Sequence, residues 1–342
     1  MPYLPMVIIC LFFTTILGCN GSSSDNSEEN TNEVTEYQDV LSSLSYMTDY
    51  PVGVNVERTI AMTVWFPEQY DELMPVIIVS HGGMGSINGH RQFLHLAKEY
   101  ASNGYVSIHI NHPTSKTTGN ESQELAFHLW DRPSDVIAVL NALENDTLSL
   151  GSLTASLDLN SIGFIGHSLG AYTGHAVAGG RFVDPTNSNA EWGFHDERIK
   201  AVVLLSPQGF DAFGSFDEEH SLDMTSSLNS WQDINVPSYC FVGEAEKDGV
   251  AGVSDLTSCP ECFRLIDWRL FPFYRYPLDG TRYLSIIPMQ NHHQMGEGGS
   301  DEVKEFISKN SRMFFDFYLK SEGEADKIGD ENNSVGAMKY NR

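Results

Sequence analysis

The chain has 342 residues, 41% hydrophobic and 11% aromatic, with 20 Lys+Arg against 46 Asp+Glu and a formal net charge of -26. Apolar content of this order argues against a disordered chain, and so acidic a surface repels phosphate backbones, which argues against unaided binding of nucleic acid. The length suits two domains or one large α/β domain.

Residues 1–19 read as a processed segment. Val7 to Leu17 is an apolar run too short to cross a bilayer core of about 30 Å as a helix, but of the length of a signal-peptide core. It ends in Ile16-Leu17-Gly18-Cys19, which resembles the bacterial lipobox, although the preceding MPYLPM carries no Lys or Arg. The resemblance implies a lipid anchor at Cys19 and a place in the bacterial cell envelope; an ordinary cleaved signal with an incidental Cys is the alternative. Residues 20–40 hold six acidic residues and no basic one among Ser, Asn and Gly. Such a stretch cannot bury enough apolar area to offset its ordering entropy, so 20–44 is expected to be a disordered tether. Similar composition after Lys320 makes 321–342 a flexible tail and 45–320 the folded unit.

Within that unit, β-branched runs predict strands at 59–65, 75–80, 105–110, 161–165, 200–206, 238–243 and 282–287. Most are continuously apolar, as in a parallel sheet covered on both faces. Helical patterns lie at 89–102, 132–144, 169–180 and 301–319. The last has Ser300 as N-cap, Asp301 and Glu302 in its first turn, and Val303, Phe306, Ile307, Phe314 and Phe317 on one stripe. The alternation predicts a single α/β domain with a doubly wound, mostly parallel sheet flanked by helices.

Gly166-His167-Ser168-Leu169-Gly170 follows one strand directly and opens a helix rich in small residues. A G-x-S-x-G in that context marks a nucleophile elbow, where the glycines leave room for a strained turn that exposes the Ser. Ser80-His81-Gly82-Gly83-Met84-Gly85-Ser86 ends an earlier strand. Its position suits the second half of an oxyanion hole, with the backbone N–H of Gly83 joining that of Leu169.

Together with VWFP (64–67), NGYVSIHINHPTS (103–115), RPSDVIAVLNAL (132–143), VVLLSPQG (202–209) and YLSIIPMQNH (283–292), these motifs resemble bacterial α/β-hydrolases related to platelet-activating-factor acetylhydrolase, often described as dienelactone hydrolases, with polyester-cleaving cutinases as neighbours. The resemblance covers about residues 55–318. It implies a Ser-His-Asp esterase for carboxylic esters, often of short acyl chains, with no cofactor or metal. The acid is then expected in Gly243-Glu244-Ala245-Glu246-Lys247-Asp248, at Asp248 in preference to Glu246, although Asp248 lies one residue beyond the usual spacing. The base is expected at His292, with His293 as the neighbour that could take the role. The order Ser168, Asp248, His292 is that of the α/β-hydrolases.

Cys240, inside a strand, reads as a buried thiol, and Cys259-Pro-Glu-Cys262 as a local disulfide in an oxidising compartment. The His show no metal-ligand spacing. Segments 181–199 and 210–235, with Trp192, Phe210, Phe213, Phe216 and Trp231, are candidates for a lid or acyl pocket. The run Trp268 to Tyr276 is a candidate for the pocket mouth or a sheet-edge cover. The leading expectation is a membrane-tethered serine esterase acting on a small-molecule or lipid-like ester. Lactone, dienelactone or polyester hydrolysis, and a non-catalytic surface lipoprotein that kept the fold for binding, are the alternatives.

Overall fold

The computed structural model describes residues 37–48, 56–83, 88–113, 121–148, 150–184, 187–207, 233–246, 269–270, 273, 281–331 and 333–341. Eleven strands occur among them: β1 (Tyr37–Thr48), β2 (Val56–Pro67), β3 (Met74–Ser80), β4 (Val106–Asn111), β5 (Leu157–His167), β6 (Arg181–Asp184), β7 (Asn187–Gly193), β8 (Ile199–Leu205), β9 (Ser238–Gly243), β10 (Arg282–Ile287) and β11 (Met338–Asn341). The longer helices are α1 (Leu94–Ala101), α2 (Glu121–Glu144), α3 (Leu169–Val177) and α4 (Asp301–Phe315). Nine strands form one sheet in the order β1-β2-β4-β3-β5-β8-β9-β10-β11, and β6 and β7 pair apart from it. Strands β4, β3, β5, β8, β9 and β10 run parallel, while β1, β2 and β11 join antiparallel. This is a single α/β domain with the topology of the α/β-hydrolase fold.

The runs of apolar residues explain the layering. In β3 (MPVIIVS) every residue is buried. Val76 and Ile78 join one core cluster with Val136, Val139 and Leu140 of α2 and Ala171, Tyr172 and Ala176 of α3. Ile77 and Val79 join another with Leu96 and Tyr100 of α1 and Val303, Phe306 and Phe314 of α4. Alternate side chains of one strand thus serve the two faces, which is why the strand is apolar throughout. Helix α4 begins where Ser300 Oγ accepts the Val303 N–H at 3.4 Å, with Asp301 and Glu302 in its first turn. Its buried Val303, Phe306, Ile307, Phe314 and Phe315 each stabilise the fold by about 1.5–3 kcal/mol.

Both boundaries of the folded unit differ from expectation. The tether expected over 20–44 gives way at Tyr37 to β1, whose residues 38, 40, 42, 44 and 46 are partly buried while 39, 41, 43, 45 and 47 are exposed. Val40, Leu44 and Tyr46 pack on the core. This period-2 pattern is a half-buried edge strand, masked in the sequence because Leu41 and Met47 point outward while Gln38 and Ser42 point inward, which breaks the apolar–polar alternation. The tail expected over 321–342 folds back, and Met338 to Asn341 pair with β10. Ile328 and Ala337 are buried against the second core cluster. The Asn310 amide binds Glu331 through both its groups, Nδ2 to O at 2.8 Å and N to Oδ1 at 3.1 Å. Its few apolar residues and one amide clamp hold a segment whose composition is polar. Cys19 lies outside the described residues, as do Cys259 and Cys262. Cys240 is buried in β9, where burial pushes its thiol up to about 12. Among the described residues no helix is long and apolar enough to cross a membrane.

Candidate active site

The loops after β3, β5, β9 and β10 lie at the carboxyl ends of parallel strands, where α/β sheets place their ligand sites. Ser168 stands between β5 and α3 with φ 56 and ψ -119, a backbone region costly for any residue with a Cβ and characteristic of functional sites. Packing fixes this geometry from both sides. A Cβ on Gly166 would lie 2.3 Å from the backbone of Gly170. One on Gly170 would lie 2.1 Å from the Ser80 carbonyl oxygen. Only glycine lets α3 close on the end of β5 and on the loop after β3. Ser168 N–H donates to the Leu205 carbonyl at 3.0 Å, and its own carbonyl accepts from Tyr172 N–H at 3.0 Å.

Ser168 Oγ is 2.9 Å from His292 Nε2. On the other side of the ring, His292 Nδ1 faces Glu246 Oε2 at 3.2 Å. A carboxylate only accepts, so Nδ1 carries the proton it gives to Glu246 and Nε2 is left to accept from the serine. The imidazole remains 20% exposed, so a substrate can reach the pair. The structure therefore brings Ser168, His292 and Glu246 together. Asp248 lies outside the described residues; the carboxylate against His292 belongs to Glu246, which ends the tight turn after β9, with its N–H on the Gly243 carbonyl at 3.2 Å. His293 is exposed, and its hydrogen bonds shape the loop through its carbonyl, which accepts from Gly296 and Gly298.

Glu246 is 2% exposed, and its oxygens are well supplied with donors. Oε1 accepts from Ser206 Oγ at 2.6 Å and from Gly243 N–H at 2.9 Å. Arg269 Nε lies 2.9 Å from Oε2. Burial by itself would raise this carboxyl, but the hydrogen bond with His292 and the Arg269 charge outweigh it and hold the group below the usual carboxylate range. Arg269 also binds the carbonyls of Ser206 and Pro207 at 2.9 and 3.0 Å, and its Nη2 stands 3.2 Å from His292 Nδ1. It comes from the aromatic run Trp268 to Tyr276, of which only Arg269, Leu270 and Phe273 are described. The sequence suggests a pocket mouth or an edge cover for that run; the structure makes one of its residues the cation for the acid.

His167, the elbow residue before Ser168, places its Nε2 3.0 Å from the His292 carbonyl, and its ring lies 4.8 Å from the His292 ring, centre to centre. Burial pushes it down to about 3, so it is neutral and donates to that carbonyl. The loop after β3 crosses close by: a Cβ on Gly82 would lie 3.2 Å from Ser168 Cβ. Gly83 follows with φ 75 and is exposed, and Leu169 is the first residue of α3. Residues 84–87 of that loop lie outside the described residues, as do residues 208–232, which hold Phe210, Phe213, Phe216 and Trp231; Trp192 falls in β7.

A second network has the connectivity of a Ser-His-Asp triad. Ser80 Oγ is 2.9 Å from His112 Nε2, and His112 Nδ1 is 2.9 Å from Asp135 Oδ2. Asp135 also accepts from Arg58 at 2.8 Å through each of its oxygens and from Tyr46 at 2.7 Å. Its carboxyl would be raised by burial, but the bonds from Arg58 and His112 bring it down to about 2. Ser80, His112 and Asp135 are each 0% exposed. Triad geometry of this kind is consistent with serine-hydrolase chemistry, but a serine with no open face cannot meet a substrate carbonyl. Among the described residues no group of three or more His, Cys, Asp or Glu could hold a metal ion. No family model and no curated protein matches the chain.

Proposed function

We propose that this protein is a serine hydrolase that cleaves carboxylic esters through Ser168, His292 and Glu246. The observation that carries the reading is Ser168 in its strained turn with Oγ 2.9 Å from His292 Nε2, on a ring whose other nitrogen faces a buried carboxylate. His292 Nε2 takes the Ser168 proton as Oγ bonds to the ester carbonyl carbon, and the carbonyl electrons move onto oxygen. The N–H groups of Leu169 and Gly83 stabilise that oxyanion. As the tetrahedral centre collapses, the C–O bond to the alcohol breaks and His292 returns the proton to the leaving oxygen. Water then repeats the sequence on the acyl-enzyme and releases the acid. Glu246 holds the imidazole tautomer and stabilises the imidazolium that forms; Ser80, His112 and Asp135 serve the fold.

The quoted motifs favour relatives of platelet-activating-factor acetylhydrolase and a short acyl chain, with a lipid anchor at Cys19 tethering the enzyme to a bacterial envelope membrane. Hydrolysis of p-nitrophenyl acetate, butyrate and laurate by wild type and Ser168→Ala tests the class. Activity on the short esters that vanishes in the variant supports the reading. Equal rates in the two proteins, or none in either, would sink it.

A further inference from the structure

Arg132 in α2 is completely buried, yet its guanidinium faces backbone rather than a carboxylate of its own. Nη1 donates to the His81 carbonyl at 2.7 Å and Nη2 to the Gly83 carbonyl. Between them, the Gly82 carbonyl is 2.8 Å from His81 Nδ1. His81 Nε2 accepts the His112 N–H at 3.1 Å, so the proton of the neutral ring sits on Nδ1 and is given to Gly82. Three successive carbonyls of the loop over Ser168 are thus each held by a donor. In a trans peptide the N–H points opposite to the C=O, so holding the Gly82 carbonyl aims the Gly83 N–H, and Arg132 fixes the peptides on either side. Asp135, whose charge favours the Arg132 cation, accepts its hydrogen bonds from Arg58, His112 and Tyr46. A cation kept at 0% exposure must be compensated by what it binds, and here that is the loop.

We propose that Arg132 is a positioning residue for the oxyanion site, its guanidinium bridging the His81 and Gly83 carbonyls so that the loop 81–83 presents the Gly83 N–H to the substrate at Ser168. This rests on the serine-hydrolase reading above. An oxyanion donor acts mainly in the transition state, so misplacing it lowers kcat and spares KM. The buried Ser80–His112–Asp135 network then has a use: it anchors the same loop through the His112 N–H on His81.

The experiment compares wild type with Arg132→Lys, whose single ammonium cannot span both carbonyls, and with Gly83→Ala, which must abandon φ 75 but meets nothing within 4 Å. The assay is p-nitrophenyl butyrate hydrolysis, with inhibition by butylboronic acid, whose tetrahedral serine adduct needs the oxyanion site. Both variants are expected to lose about 100-fold in kcat with KM within about twofold, and to weaken the boronate by a similar factor. The double variant should lose little more than either alone. Wild-type kcat and boronate affinity in Arg132→Lys, or independent losses that multiply in the double variant, would overturn the proposal. Should Arg132→Lys fail to fold, Gly83→Ala with unchanged kcat and boronate affinity would overturn it as well. Wild type that neither hydrolyses the ester nor binds the boronate would overturn the serine-hydrolase reading itself, and this inference with it.

Discussion

Replacing Glu246 by Gln keeps the size of the side chain and removes its charge. The consequence follows from its neighbours, because donors surround it. Gly243 N–H lies against Oε1 at 2.9 Å, while Arg269 Nε and His292 Nδ1 lie against Oε2 at 2.9 and 3.2 Å. Whichever way the new amide turns, its NH2 meets a donor. Turned toward His292, it makes Nδ1 an acceptor and moves the ring proton to Nε2, which then cannot take the Ser168 proton. A neutral amide in place of the acid of a serine protease triad lowers kcat about 10⁴-fold, and a loss of 10³–10⁴ is expected here. Arg269, 2% exposed, would lose the charge of Glu246, and breaking a buried pair of this kind costs about 3–5 kcal/mol. Kinetics on p-nitrophenyl butyrate, run at a temperature where circular dichroism shows the variant folded, gives kcat and KM. Asp248→Asn is the control and should keep kcat within about threefold. The reasoning is refuted if Glu246→Gln keeps more than a tenth of wild-type kcat, or if Asp248→Asn loses most of it.

Gly170→Ala sets a Cβ 2.1 Å from the Ser80 carbonyl oxygen, a backbone atom with little freedom to move. Overpacking of this kind costs about 3 kcal/mol, read as a fall in Tm of about 6–12 °C, and an unchanged melt would contradict the packing described. Arg269→Met removes a charge that holds Glu246 ionised, so on acidification kcat should fall at a higher pH than in wild type; superimposable pH profiles would contradict that role. Stability should also fall with acid. Burial pushes His109 and His112 down to about 4 and His175 to about 3, below the ordinary 6.5 of an unfolded His. The unfolded chain therefore takes up protons first, and stability, full above pH 6.5, is lost as pH falls toward 4, by about 3 kcal/mol or more per group. Asp135, held at about 2, adds a loss between its unfolded value of 3.8 and 2. Denaturant melts at pH 7.5, 6, 5 and 4 should show this decline, and a midpoint independent of pH would contradict it.

The fold was legible wherever burial made strands continuously apolar. All seven expected strands are present at β2, β3, β4, β5, β8, β9 and β10, and the four helical patterns overlap α1 to α4. Reading failed where a few apolar side chains anchor polar segments. β1 hides Val40, Leu44 and Tyr46 among Ser and Asp, and the C-terminal segment is held by Ile328, Ala337 and the Asn310 amide. At the site, the elbow was legible because its glycines have local steric causes. The acid was harder. Glu246 and Asp248 stand two residues apart in one turn, and what favours Glu246 comes from Ser206, Arg269 and His292, all distant in sequence. Arg132 left no signal because its partners are backbone carbonyls, which every residue has, and Arg269 left none because the carboxylate it meets, Glu246, is distant in sequence.

Among the described residues two serines carry a histidine and a carboxylate, and chemistry can tell them apart. Wild-type protein is treated with a fluorophosphonate, which bonds covalently to an activated serine as fluoride leaves, and the labelled peptide is sequenced by mass spectrometry. One label per chain on Ser168, absent after Ser168→Ala, is the result expected. A label on Ser80, or retention of the label in Ser168→Ala, would contradict the assignment of Ser168 as the nucleophile.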